Sequence, residues 1–140
     1  MTPSVLLDTG VIVALLDRRE RRHHDCVRAL TGLGARLVTC EPVIAEACYL
    51  LRAVPGASEA VLANVARGSF SLGLRLAEEA EAVASLMSRY ADQPMDLADA
   101  CLVRMADLLD TGRILTLDAD FRCYRWRSRR AFDLLVAPGN

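Results

Sequence analysis

The sequence predicts an α/β fold, and three observations carry that expectation. Four short, largely apolar runs have strand length: 4–7 (SVLL), 36–39 (RLVT), 113–117 (RILTL) and 132–136 (FDLLV). Segments with apolar residues at helical spacing separate them. Strands and helices alternating in this way build a parallel sheet covered on both faces. No repeat, low-complexity tract or linker interrupts the chain, so residues 1–140 are read as one domain.

The first run stops at Asp8, and a helix follows from Val11 to Asp17 behind Thr9 and Gly10. Cys26, Val27 and Leu30 mark a second helix, stopped near Gly32 and Gly34. After the strand at 36–39, Pro42 stands where a first helical residue is favoured. Val43 to Arg52 continues that helix until Pro55 and Gly56 break it. Ser58 to Ala66 forms another helix, residues 69–74 (SFSLGL) a short extended piece, and Ala77 to Tyr90 a helix by composition. Past Pro94 a helix opens near Asp96, with Leu97, Cys101, Leu102, Met105, Leu108 and Leu109 at helical spacing, and Gly112 ends it. The strand at 113–117 closes in Asp118, and 132–136 is the last strand.

Composition narrows the class. The chain has 140 residues, 53% hydrophobic and 25% charged, with a formal net charge of −1, which suits a compact domain able to bury its own core. The longest apolar run, Val11 to Leu16, is far short of the ~20 residues a membrane span needs. Asp8 interrupts the N-terminal apolar stretch too early for a signal peptide. Cys26, Cys40, Cys48, Cys101 and Cys123 form an odd set without a C-x-x-C pair and read as reduced thiols among apolar neighbours. A zinc ribbon, a disulfide scaffold, a membrane protein and a disordered chain are excluded, and a cytoplasmic location is expected.

The near-neutral balance is unevenly laid out. All 17 basic residues are arginine. One group is Arg18, Arg19, Arg21 and Arg22; another is Arg122, Arg125, Arg127, Arg129 and Arg130, interleaved with Tyr124 and Trp126. Codon bias accounts for the missing lysines but not for clustering beside aromatics. Arginine with aromatic rings suits phosphate backbones and stacked bases. Tyr124 and Trp126 either stack bases or pack the final strand.

The acids carry the chemistry. Asp8 and Asp118 each end a strand and so project from the carboxyl edge of the sheet, where ligands of open α/β sheets bind. Each could instead simply cap the next helix. Glu46 has apolar neighbours in PVIAEACYLL, with Val43, Ala47 and Leu50 on its face, so burial demands a cationic partner, either an arginine or a metal. Asp96 lies on a stripe with Ala100, Arg104 and Asp107, a solvent face, and can cap the helix. Asp99 is turned away from that stripe and is the better site candidate. Carboxylates converging on one edge repel unless a cation neutralises them, and oxygen ligands select Mg²⁺ or Mn²⁺. Such an ion beside arginine and aromatics suits phosphodiester hydrolysis.

LLDTG, EPVIAEACYLL, PMDLADACL and ILTLDADFRCYR stand in the order and spacing of a PIN-domain ribonuclease, and the chain resembles the VapC-type toxins of toxin–antitoxin pairs. The resemblance spans the chain. It implies a three-layer α/β/α fold with a five-stranded, mainly parallel sheet, and Mg²⁺- or Mn²⁺-dependent cleavage of RNA. It also implies a cognate antitoxin and a homodimer. Asp8, Glu46, Asp99 and Asp118 carry over as the catalytic, metal-binding quartet. Asp120 is a further metal candidate, and Thr9 and Thr116 are supporting hydroxyls. Arg122, Tyr124, Arg125, Trp126 and Arg127 become the RNA-binding candidates. Gly10 departs from the serine or other small polar residue of many relatives, and Asp96 from their small hydroxyl residue.

LLDTG also resembles the catalytic loop of retroviral-type aspartic proteases, yet helical sequence comes directly after it and no flap-like segment appears. A dehalogenase-type phosphatase needs D-x-D where this chain has Asp8, Thr9 and Gly10. A non-catalytic RNA- or partner-binding module of the same fold is the remaining alternative. His23 and His24, in a polar stretch behind four arginines, read as solvated residues at a helix start.

Overall fold

A computed structural model describes residues 2–139. Strands β1 (Ser4–Leu7), β2 (Arg36–Thr39), β3 (Phe70–Leu72), β4 (Arg113–Leu115) and β7 (Asp133–Leu134) form one parallel sheet in the order β3-β2-β1-β4-β7. Val5 pairs with Leu37, Leu7 with Leu115 and Ile114 with Leu134. Strands β5 (Arg125–Trp126) and β6 (Arg130–Ala131) form a separate antiparallel hairpin. The helices are α1 (Thr9–Leu16), α2 (His23–Leu30), α3 (Glu41–Leu50), α4 (Ala57–Ala66), α5 (Leu76–Arg89) and α6 (Leu97–Leu109). None of them is long and apolar enough to cross a membrane.

The sheet's central strand is apolar from Val5 to Leu7 because helices cover it, and all three residues are fully buried. Helix α6 lies against β1, and Ala100, Cys101, Leu102, Val103, Met105 and Ala106 on it are fully buried. Helix α5 packs along α6 through an Arg104–Glu79 ion pair of 2.6 Å. Strand order reverses direction at β1, so the crevice at the carboxyl ends of β1 and β4 is where this topology opens a site. Helix α1 leaves that edge, and α3 touches both α1 and α6 there.

Several expected boundaries move. Strand β4 ends at Leu115, so Asp118 stands three residues beyond it and caps the 3₁₀ turn Ala119–Arg122 instead of ending a strand. Helix α6 stops at Leu109 with Asp110 in the left-handed conformation (φ 54°), not at Gly112. Gly112 makes room for packing instead, since a Cβ there would lie 2.1 Å from Nε1 of Trp126. Only glycine lets the indole approach this closely. The last strand is confined to Asp133–Leu134, and the β5–β6 hairpin has no counterpart among the expected elements. Its strands are two residues each and arginine-rich, with no apolar alternation to betray them.

Candidate active site

Asp8 follows β1 directly and is the N-cap of α1. Its Oδ1 accepts from the Thr9 amide at 2.8 Å, and its Oδ2 accepts from Thr116 Oγ1 at 2.6 Å. Thr116 comes directly after β4, and its hydroxyl oxygen accepts in turn from the Asp118 amide at 3.0 Å. One buried hydroxyl thereby ties the ends of β1 and β4 to the turn that presents Asp118. Asp118 Oδ1 accepts from the Asp120 amide at 2.9 Å.

Asp99 and Asp96 form a reciprocal cap on α6. The Asp99 amide donates to Asp96 Oδ1 at 2.9 Å, and the Asp96 amide donates to Asp99 Oδ2 at 3.2 Å. The cap satisfies helix-end donors and orients the Asp99 carboxylate at the same time. The Tyr124 hydroxyl lies 3.5 Å from Asp99 Oδ2 on its buried side.

These groups meet in a cleft of about 250 Å³ lined by Asp8, Thr9, Gly10, Glu46, Asp96, Asp99, Leu117 and Asp118. No basic side chain lines it. Burial raises Asp8 from 3.8 to about 6, its bonds from Thr116 and Thr9 opposing, and the charges of Asp118 and Glu46 adding to the rise. Burial also raises Asp99 to about 8, opposed by the Asp96 amide and reinforced by the charges of Asp96, Asp8 and Asp118. Asp118 is raised too, by burial first and then by the charge of Asp120. Carboxylates that resist ionisation because they are buried, and secondarily because they face one another, form a site a cation would relieve. The donor set is all oxygen, which fits a hard divalent ion. Among the described residues no three such side chains are arranged, as they lie, to hold a metal ion together. Thr9 Oγ1 is buried without a hydrogen-bond partner, an unmet polar atom in the cleft lining.

The structure brings Asp8, Glu46, Asp99 and Asp118 together, with Thr9 and Thr116 beside them. Three expectations are corrected. Glu46 is exposed, and among the described residues no arginine pairs with it; it faces the open cleft, so its apolar neighbours never enclosed it. Asp96 is exposed and caps the helix as expected, but it also lines the cleft, and its stripe is not a solvent face throughout, since Ala100 on it is fully buried. The helix sinks into the core below its first turn. The sequence signal for Asp96 is the D-x-x-D spacing of a reciprocal cap. Asp120 adjoins Asp118 without lining the cleft.

The aromatic candidates are the third correction. Tyr124 is 0% exposed and Trp126 only 7%, so neither offers a face to a base; both pack. Tyr124 sits edge-on to Phe121 and Tyr90. Arg125 donates to the Arg122 and Tyr124 carbonyls at 2.7 and 2.9 Å, which holds it against its own segment, whereas Arg122 and Arg127 are exposed. His23 Nδ1 contacts the Ala14 carbonyl at 2.7 Å, away from the acids, and His24 lies on α2, also outside the cleft lining.

The PIN-domain profile matches residues 5–126, most of the chain. A curated relative, Ribonuclease VapC26 of Mycobacterium tuberculosis, is 34% identical over 116 residues, covering 81% of this chain and 86% of its own. The chain is a PIN domain of the VapC family. Among solved structures, the crystal structure of Mycobacterium tuberculosis VapC20, a Sarcin-Ricin loop cleaving toxin, superposes with a TM-score of 0.80. It is 20% identical and covers 90% of this chain and 98% of its own. In this VapC-family chain the three-layer α/β/α fold with its five-stranded sheet is therefore as the sequence resemblance implied.

Proposed function

We propose that this VapC-family chain is a Mg²⁺- or Mn²⁺-dependent endoribonuclease and the toxin of a toxin–antitoxin pair. The observation that carries the reading is a cleft walled by carboxylates, with no basic side chain in its lining and two acids raised to about 6 and about 8. An RNA phosphate entering it would meet carboxyl groups and no positive charge unless a cation came between. The curated relative's name as a ribonuclease supports RNA as the substrate class.

Asp8, Glu46, Asp99 and Asp118 would hold the ion, with Asp120 adding negative charge beside Asp118. When bound, a divalent ion neutralises charge on the phosphoryl group and makes water a better acid. The chain's own residues prepare the site. Thr116 and the Thr9 amide fix both oxygens of Asp8, and the Asp96 cap fixes Asp99. Glu46 reaches in from α3 without a competing partner. A partner protein can restrain this cleft with an arginine or lysine placed where the ion would sit, through charge-assisted hydrogen bonds. A cognate antitoxin of that kind, a homodimer and a cytoplasmic location complete the proposal.

The test is RNA cleavage by the purified chain with and without Mn²⁺ or Mg²⁺, beside calorimetric Mn²⁺ binding. Cleavage should require the ion and fall to background in Asp8→Asn and Asp99→Asn, while Glu46→Gln should bind Mn²⁺ more weakly. Cleavage that survives in both aspartate variants overturns the site. A folded wild-type chain that binds RNA but never cuts it is the non-catalytic module instead.

A further inference from the structure

All three non-glycine residues with positive φ among the described residues lie in one corner: Asp110 (54°), Arg127 (46°) and Ser128 (66°). The corner is the tip of the β5–β6 hairpin against the C-terminal end of α6. It is held by bonds that do not relieve the backbone. The Arg127 amide donates to Asp107 Oδ1 at 2.6 Å, Arg127 pairs with Asp110 at 3.2 Å, and Arg89 donates to the Ser128 carbonyl at 2.9 Å. Such conformations strain any residue that carries a Cβ, and glycine would avoid the strain. Arginine and serine stand there instead.

This backbone presents charge. Trp126, wedged on Gly112 and donating from Nε1 to the Ala131 carbonyl at 3.2 Å, is a pedestal for two guanidinium groups. Arg130 sits 5.1 Å and Arg127 6.0 Å from its ring. Arg129 and Arg130 are exposed and, among the described residues, have no ion-pair partner. Arg89 borders the same tip. The acids at hand are Asp107, shared with Arg104 at 3.7 Å, and Asp110, taken by Arg127. The corner is therefore a positive patch. It lies at the far end of α6 from the acidic cleft: Asp99 to Asp107 spans about 12 Å along the helix axis.

We propose that the β5–β6 hairpin is an exosite for RNA phosphates, engaging parts of a substrate remote from the bond held in the acidic cleft. The proposal rests on the reading of the chain as an RNA-binding nuclease. Exposed, weakly hydrated guanidinium groups without a carboxylate partner favour phosphate oxygens. With an offset of about 12 Å, only an RNA long enough to reach along α6 gains from them. An RNA confined to the cleft does not.

The test pairs Arg129→Gln/Arg130→Gln with the wild-type chain, both checked for folding by circular dichroism. Fluorescence anisotropy is recorded with Ca²⁺, an oxygen-binding ion that neutralises the cleft, on a 2-nucleotide and a 40-nucleotide RNA over a range of salt, and each RNA is checked afterwards to be uncut. The 40-mer should bind on the order of tenfold more weakly to the variant, with its log–log salt slope reduced by about 1.4 for two lost contacts. The 2-mer, too short to span that offset, should change less than about twofold. Arg127→Gly, which relieves the positive φ, should fold at least as well and still bind the 40-mer more weakly. Equal affinity and slope for the 40-mer overturn the exosite, as do equal losses for both lengths. If the variant binds RNA normally but is no longer retained by a polyglutamate support, the patch serves an acidic protein and the proposal falls. A wild-type chain that shows the length-dependent binding but cuts no RNA with either ion leaves the exosite standing and removes the nuclease reading alone.

Discussion

Asp8 shows most directly how the fold strains a single residue. Its pKa is raised to about 6, so the folded chain prefers the neutral acid. A group whose folded pKa lies above its unfolded value contributes stability at pH below about 4, and that contribution is lost as pH rises through about 6. Asp99, raised to about 8, extends the loss toward pH 8. The ion-free chain should therefore gain from Asp8→Asn on the alkaline side alone. The expected gain is on the order of 1–3 kcal/mol at pH 8, fading to nothing near pH 4. Thermal melts in EDTA at the two pH values measure it. A variant no more stable than wild type at pH 8 would show that Thr116 and the Thr9 amide outweigh burial.

At the scale of elements, the site depends on caps. Asp8 caps α1, Asp118 caps the 3₁₀ turn, and Asp96 and Asp99 cap α6 reciprocally. Asp96 is both a cap and a wall of the cleft, and two substitutions separate these roles. Asp96→Ala removes the acceptor for the Asp99 amide and should cost about 1 kcal/mol in urea denaturation. Asp96→Asn keeps a good N-cap while deleting one charge facing Asp99, so it should cost a few tenths of a kcal/mol at most. Equal losses in the two variants would assign the effect to charge and not to the cap.

For the whole molecule, charge is segregated: carboxylates gather at the carboxyl edge of β1 and β4, arginines at the opposite end of α6. Bringing acids together costs stability that a bound ion returns. An ion that binds only the folded chain stabilises it by about 2.7 kcal/mol at a hundredfold excess over its Kd. Mn²⁺ should accordingly raise the melting temperature of the wild-type chain at pH 7.5, and the rise should vanish in Asp8→Asn. Differential scanning calorimetry with and without Mn²⁺ gives the answer. An equal rise in both proteins would place the ion elsewhere.

Neighbours along the chain decide local structure, and that much can be read without coordinates. The strand at Arg36–Thr39 was legible to the residue, and the helices to within a turn, because apolar spacing, Pro42 and the helix-stopping residues are local signals. Asp8 and Asp118 were legible as candidates because each closes an apolar run of strand character, and Asp99 because it turns away from the polar stripe of its helix. The rest comes from packing. Whether Glu46 lies inside or in the open depends on where α3 meets α1 and α6, not on its own neighbours in the chain. Asp96 lines the cleft because α6, packed against β1, begins beside the carboxylates at that edge of the sheet. Tyr124 and Trp126 are buried by Phe121, Tyr90 and Gly112, and the more distant of these partners belong to elements that no local pattern connects to them. Periodicity reports which face of an element is apolar; burial and the convergence of charge are set by which other faces arrive there, and that is a property of the packed chain.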